Sequence, residues 1–169
     1  MTWTAIDTKS AADKKLTLAN WNDQVKGNLE DIAGASGIRW VDWTPTLSQS
    51  AGITITVTRA RYVIVGKIAV VQITLALTSA GTAGQRIYLA GIPAAIAPLS
   101  TGGISNPIGT FGYFDAAPGA FYSGTAIVMN ATTLAFSAGG SNNDHLGVAP
   151  ALTIANGDTI GVQGCYEIA

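Results

Sequence analysis

Residues that could carry out catalysis are few in this 169-residue chain. His145 is the only histidine and Cys165 the only cysteine, and they lie in different segments. A nucleophilic site needs a base and an orienting group beside the nucleophile, and the strand-like segment around Cys165 supplies neither. We therefore expect Cys165 to be a buried, unreactive thiol. Asp144 and His145 are expected to form a solvated polar loop rather than a catalytic or metal site.

Paired carboxylates are the other catalytic arrangement to consider. Asp115 and Asp158 could act as a glycosidase pair, but Asp158 follows Asn156 and Gly157, where turn formation explains it. The glycine-rich segment TSAGTAGQR lacks the Lys followed by Ser or Thr that a phosphate-binding loop requires. We predict a non-enzymatic protein with no catalytic residue, no cofactor and no metal ion.

The aromatic residues allow two interpretations. Trp40 and Trp43 either anchor the N-terminal segment to the body or stack on sugar rings, since indole faces suit both roles. A second cluster, FGYFDAAPGAFY at 111–122, either forms a hairpin with core-facing rings or presents rings to a partner; strand spacing favours core positions for Phe111, Tyr113 and Phe121. The glycan-contact interpretation involves four residues: Trp40, Trp43, Tyr113 and Tyr122.

The element that precedes these clusters is a predicted amphipathic helix at 16–34, with Thr17 as N-cap and Gly34 as its stop. Its apolar residues recur at spacings of three and four, which defines one helix face. That face either covers the chain's own body or self-associates in an oligomer, and we take it as the candidate oligomer or docking interface. Its members are Leu18, Trp21, Val25, Leu29 and Ile32. Residues 1–36 are thus predicted to be an N-terminal arm and helix.

Beyond the helix, the hydrophobic period changes to two. Alternation is clear at 53–58 and 69–77, and in 158–168 Ile160, Val162, Tyr166 and Ile168 share one face, opposite Thr159, Gln163, Cys165 and Glu167. Gly-rich turns separate about eight short strands with no helix between them. The predicted fold is mainly β, an antiparallel β-sandwich or jelly roll over residues 37–169 with a short N-terminal α-helix.

Charge is scarce and unevenly distributed. Charged residues make up 11% of the chain, against about 25% in an average soluble protein. After Gly66 the charged residues are Lys67, Arg86, Asp115, Asp144, Asp158 and Glu167. We infer that much of the surface is buried in an assembly. The net charge of −1 gives no attraction to nucleic acid or anionic membranes, so neither is a predicted partner.

Three features of the sequence bear on the cellular compartment in which the chain folds. The start MTWTAIDTKSAADKK has no apolar stretch after a basic segment, so we expect no signal peptide. The apolar run at 62–77 is interrupted by Lys67 and Gln72 and alternates like strands, so it does not predict a membrane span. One cysteine cannot form an internal disulfide, which favours folding in a reducing cytoplasm.

Several segments resemble the virion surface proteins of tailed bacteriophages, of the small head-decoration, head-fibre and minor tail-fibre type. LTLANWNDQVKGNLEDI contains the spacing W-N-x-x-V-x-x-N-L, and the body segments similar to that group are WTPTL at 43–47, RARYVIVGKIAVVQITLAL at 59–77, GIPAAI at 91–96 and GDTIGVQGCYEI at 157–168. The resemblance implies a homotrimer located on the virion.

On this basis the chain is expected to be a capsid decoration or head-fibre protein, made in the host cytoplasm, whose partners are its own copies and the major capsid or tail proteins. The alternative is a tail-fibre or receptor-binding tip that binds host surface glycans.

Overall fold

The computed structural model describes residues 22–23, 25–27, 39–94, 97, 107–139 and 144–168. Residues 22–23 and 25–27 are helical, and Val25 is exposed there. The other predicted interface residues, Leu18, Trp21, Leu29 and Ile32, lie outside the described residues, so the extent of the helix and its apolar face remain predictions.

Within the described part of the chain, the body consists of ten strands that all fall inside the predicted 37–169 domain. Their bounds are β1 (Val41–Asp42), β2 (Thr46–Gln49), β3 (Ala51–Ile53), β4 (Ile55–Val65), β5 (Ile68–Leu77), β6 (Tyr88–Ala90), β7 (Pro107–Asp115), β8 (Ala120–Asn130), β9 (Thr133–Ser137) and β10 (Thr159–Glu167).

The ten strands form one antiparallel sheet in the order β1-β4-β5-β10-β7-β8-β9-β6-β2-β3. Only Thr54 separates β3 from β4 along the chain, yet β3 ends the sheet and β4 is second from the opposite end. The sheet must therefore curl until its two ends approach each other. The prediction of a mainly β, antiparallel fold is confirmed.

The curled sheet encloses one hydrophobic core, which contains residues from strands near both ends of the sheet. Leu47 of β2, Leu75 of β5 and Phe136 of β9 belong to the same buried cluster. Strand alternation explains the packing, because every second residue of a strand points to the same face. In β10, for example, Ile160 and Val162 are buried, as the sequence pattern predicted.

Close approach of backbones fixes some glycines in the sheet. A Cβ atom placed on Gly124 of β8 would lie 2.0 Å from the carbonyl oxygen of Ser137 in β9, well inside van der Waals contact. Gly161 of β10 is different, because the nearest atom to a Cβ there is the Ile73 carbonyl oxygen at 3.8 Å. Only the first position requires glycine for steric reasons.

Gln49 is a fully buried polar residue at the end of β2 that holds two distant loops in place. Its Nε2 donates to the carbonyl oxygens of Gln85 at 3.0 Å and Leu152 at 2.8 Å, and its Oε1 accepts from the Ile154 N–H at 2.9 Å. Buried amides are normally hydrogen-bonded, and here the three bonds connect β2 to the segment before β6 and to the segment at 152–154.

Candidate functional site

The two tryptophans proposed as sugar-stacking residues lie in different environments. Trp40 is 41% exposed, and the Arg61 guanidinium carbon lies 4.5 Å above its ring centroid. Trp43 packs against the core and meets Tyr62 edge to face, with ring centroids 5.7 Å apart. Trp43 therefore fits the core-anchor interpretation, and of the pair only Trp40 presents substantial ring surface, one face of which is covered by Arg61.

Tyr113 and Tyr122 face each other across the β7–β8 ladder, with ring centroids 6.2 Å apart. Tyr113 is fully buried, so its proposed contact with a glycan is wrong for this structure. Tyr122 is half-buried and packs against the core. Trp40 precedes β1 at one end of the sheet, and the tyrosines point inward from β7 and β8. The four residues do not form one surface.

Asp158 is buried, and its carboxylate is bound by three donors. Its oxygens accept hydrogen bonds from the Ala155 N–H at 2.7 Å, the Ala116 N–H at 2.9 Å and the Tyr113 hydroxyl. The bond within 155–158 agrees with the predicted turn role, while the other two connect this turn to Tyr113 of β7 and to Ala116, which directly follows β7. Burial, together with the hydrogen bond to Asp158 and its charge, raises the pKa of Tyr113 well above its ordinary value, so the phenol stays a donor.

His145 was expected in a solvated loop, and this expectation is wrong. The side chain is 1% exposed, and neither ring nitrogen has a hydrogen-bond partner among the described residues. Burial and the nearby Arg86 charge lower the pKa of His145, with Asp144 opposing them. The loop is held by backbone bonds instead: the His145 carbonyl accepts from the N–H groups of Val148 and Ala149, each at 2.9 Å.

Cys165 and Phe121 were both expected to be buried, and both are exposed. Cys165 lies on the outer side of β10, between the inward-pointing positions of Gly164 and Tyr166. Phe121 pairs with Phe114 across the β7–β8 ladder and therefore shares its outward face. It is 69% exposed, and its ring lies over Gly112.

The outer face of the central strands is almost without charge. In one row across the ladder, Gln72 of β5 pairs with Gln163 of β10, which in turn pairs with Thr110 of β7. Two rows further along the same face, Thr159 of β10 pairs with Phe114 of β7, which pairs with Phe121 of β8; both rings are exposed. We refer to the outward-facing residues of β5, β10, β7 and β8 as the outer face; it combines amides, hydroxyls and two exposed aromatic rings.

An open pocket of about 360 Å³ lies elsewhere on the surface, beside β2 and β6. It is lined by Ser48, Ser50, Gln85, Arg86, Tyr88 and Val148. No pattern in the sequence pointed to it as a site. The one available signal is that Arg86 is the only cationic residue after Lys67, an isolated charge within an otherwise uncharged body.

Strand alternation explains how this pocket, called the Arg86 pocket below, is built. Ser48 pairs directly with Tyr88 across the β2–β6 ladder, while the neighbouring residues Leu47 and Leu89 are buried in the core. Ser48 and Tyr88 must therefore point outward together. The carbonyl of Leu146 accepts a hydrogen bond from Ile87 N–H at 3.2 Å, which places the loop containing Val148 beside the same strand.

Two further features mark the Arg86 pocket. Ser50 has a φ of 70°, a left-handed conformation that is uncommon for a residue other than glycine and is enriched at functional sites. No hydrogen bond or ion pair engages the Arg86 guanidinium within the described residues. The pocket thus offers an unpaired cation, two hydroxyls, an amide, a phenol and the 41% exposed side chain of Val148.

No family model, no curated protein and no solved structure matches the chain. Within the described parts of the chain, no three His, Cys, Asp or Glu side chains come close enough to share a metal ion. Nor do the described residues include a helix of sufficient length and hydrophobicity to cross a membrane.

Proposed function

We propose that this chain is a non-enzymatic structural protein of a tailed-bacteriophage virion, a homotrimeric capsid decoration or head-fibre protein that docks on major capsid or tail proteins. The observation that carries the proposal is the nearly uncharged outer face with its exposed Phe114 and Phe121. A surface with so little charge and such exposed rings is suited to contact with other protein copies.

The exposed rings supply a measurable part of the association energy. Covering Phe121 removes roughly 100–150 Å² of apolar surface from water, which corresponds to about 3 kcal/mol per copy. The helix face of Trp21 and Val25 is the second candidate contact, and its residues were proposed from the sequence.

The mass of the isolated protein tests self-association directly. Light scattering at micromolar concentration is expected to give three times the chain mass of 17.3 kDa. Phe121→Thr should weaken association about a hundredfold if the outer face is the contact, and Trp21→Ala should do so if the helix is. Val41→Thr is the matched control, because Val41 is also exposed and apolar but lies in β1, outside the four strands of the outer face.

A monomeric wild-type protein would refute the trimer proposal. Equal loss of association in Phe121→Thr and Val41→Thr would move the contact away from the outer face. Gold labelling of intact virions with an antibody against this chain then tests the location: label on the head supports decoration, and label confined to the tail supports the fibre alternative. Absence of label from every particle would refute a virion role.

The alternative function, a tip that binds host surface glycans, is favoured by a different observation. Trp40 remains exposed, although Arg61 covers one face of its ring. The polar Arg86 pocket is the other surface that a sugar could enter. Binding of glycans would be compatible with a structural role, since an external virion protein can perform both.

A further inference from the structure

The Arg86 pocket carries the strongest additional inference, because its lining brings an unpaired cation together with several neutral polar groups. It combines one cation with neutral hydrogen-bonding groups and a small apolar wall. Its volume of about 360 Å³ falls in the usual range for small-molecule sites, about 300–1,000 Å³. A ligand of this pocket has to match both the charge and the hydrogen-bonding groups of the lining.

The charge of the pocket limits the ligand to about one negative charge. Arg86 is the only charged residue among the six that line it. A guanidinium binds a carboxylate through two parallel hydrogen bonds, so one carboxylate satisfies Arg86. A doubly charged phosphate would usually be met by further cations or by a nest of backbone N–H groups, and the lining contains no second cation.

The other lining groups require a ligand with several hydroxyls and one apolar side. Ser48 and Ser50 can each donate and accept, and Gln85 adds an amide. Tyr88 and Val148 add ring and methyl surface to the same lining. A pyranose ring offers both kinds of surface, with hydroxyls at its edge and C–H groups on its face, and contacts of that face with aromatic rings are favourable.

We propose that the Arg86 pocket binds a single hexuronic acid residue of a polysaccharide, with the sugar carboxylate on Arg86 and its hydroxyls on Ser48, Ser50 and Gln85. This site is separate from the Trp40, Trp43, Tyr113 and Tyr122 set considered from the sequence. The proposal does not depend on the trimer or on the virion assignment, because all six lining residues belong to one chain.

His145 provides a built-in reporter of occupancy. It is the only histidine, so its ring signals in an NMR spectrum are unambiguous. Burial and the positive charge of Arg86 lower the pKa of His145, while Asp144 raises it. A carboxylate bound to Arg86 would neutralise the contribution of Arg86, so ligand binding is expected to raise the pKa of His145.

The test uses the full chain and two methyl glycosides that differ at one group, methyl glucuronide and methyl glucoside. We expect the glucuronide to bind at least tenfold more tightly, by NMR titration, and to raise the pKa of His145. Arg86→Gln should remove the difference between the two sugars. Arg59→Gln is the matched control, since Arg59 is exposed on β4 and does not line the pocket.

A second variant separates loss of binding from loss of folding. Ser50→Gly removes a lining hydroxyl at a position whose φ of 70° suits glycine, so the fold should be retained or stabilised. We expect this variant to bind the glucuronide about three- to tenfold more weakly. Unchanged binding in Ser50→Gly would exclude Ser50 from the site and overturn the proposed arrangement.

Three outcomes would overturn the proposal as a whole. The glucuronide and glucoside could bind equally, or Arg86→Gln could leave glucuronide binding unchanged. Inorganic phosphate could also displace the glucuronide at equal concentration, which would make the pocket a general anion site. None of these results bears on the trimer, which is measured separately by its mass.

Discussion

The hydrogen bond between Tyr113 and Asp158 leads to a sharp prediction about stability. The phenol of Tyr113 donates to a carboxylate that is buried and also bound by two backbone N–H groups. Tyr113→Phe removes one donor and leaves the buried carboxylate less satisfied. Hydrogen bonds to charged groups contribute about 1.5–3 kcal/mol, so the variant should lose about 2–3 kcal/mol of unfolding free energy.

The structure supplies an unusually close control in Tyr166. Its hydroxyl is also buried, but it has no hydrogen-bond partner among the described residues. Tyr166→Phe makes the same chemical change and removes a polar group whose burial is uncompensated. This variant should be unchanged or up to about 1 kcal/mol more stable. Only Tyr113→Phe is thus expected to lower the free energy of unfolding.

Denaturant unfolding followed by tryptophan fluorescence measures both effects. For a chain of this size the Tyr113→Phe loss corresponds to a melting temperature lower by about 5–10 °C. A double-mutant cycle with Asp158→Asn should give a coupling energy of about 1.5–3 kcal/mol. Equal destabilisation by Tyr113→Phe and Tyr166→Phe would show that ring packing, rather than the bond to Asp158, sets the cost.

Three further predictions concern buried polar groups and close backbone contacts. Gln49→Glu replaces the amide nitrogen that donates to two carbonyls with an oxygen. Urea unfolding should show that this variant loses at least about 3 kcal/mol of unfolding free energy, and that Gln49→Met loses less. Because the pKa of His145 is lowered in the folded state, the unfolded state binds a proton first as the pH falls below about 6.5. The free energy of unfolding should therefore decline from that pH downward. In His145→Leu, this free energy should decline less between about pH 7.5 and 5.5. Gly124→Ala should prevent folding to the native state, because its Cβ would lie 2.0 Å from the carbonyl oxygen of Ser137. In Gly161→Ala the nearest atom to the Cβ is 3.8 Å away, so this variant should fold with a circular dichroism spectrum like that of the wild type.

Alternation within a single strand was the most reliable guide in the sequence. The inward and outward faces of β10 follow directly from its residues, and this pattern placed Cys165 beside Thr159 and Gln163 on the polar side. The expectation of a buried thiol rested on the place of Cys165 in a strand-like segment, without regard to the face of the strand on which it lies. The exposed Cys165 shows that the alternation within a strand, rather than membership of a strand, decides which side chains are buried.

The sequence did not show which residues point inward in the strand that follows a turn. Phe111 and Tyr113 were correctly expected in the core, but Phe121 was assigned with them across the turn at 116–119. The length and geometry of a turn decide which residue of the second strand faces which of the first. Because Phe121 pairs with Phe114 rather than with Tyr113, it points outward.

Long-range contacts explain the remaining failures. His145 is flanked by Asn, Asp and Gly residues that are typical of exposed loops, and only the packing of that loop against β9 and the segment before β6 buries it. The Arg86 pocket likewise joins Ser48, Arg86 and Val148, residues far apart in sequence. Neither arrangement leaves a local signal, because strand order is not encoded in any one segment.

The position of β10 has a consequence for how the sheet comes together. It follows all the other described strands in chain order, yet it lies between β5 and β7 in the sheet. Until β10 has been synthesised and inserted, β5 and β7 both expose unpaired backbone groups, and the chain consists of two partial sheets with open edges. Such edges readily pair with other chains, so the nascent protein should be prone to aggregation until its last strand joins the two halves.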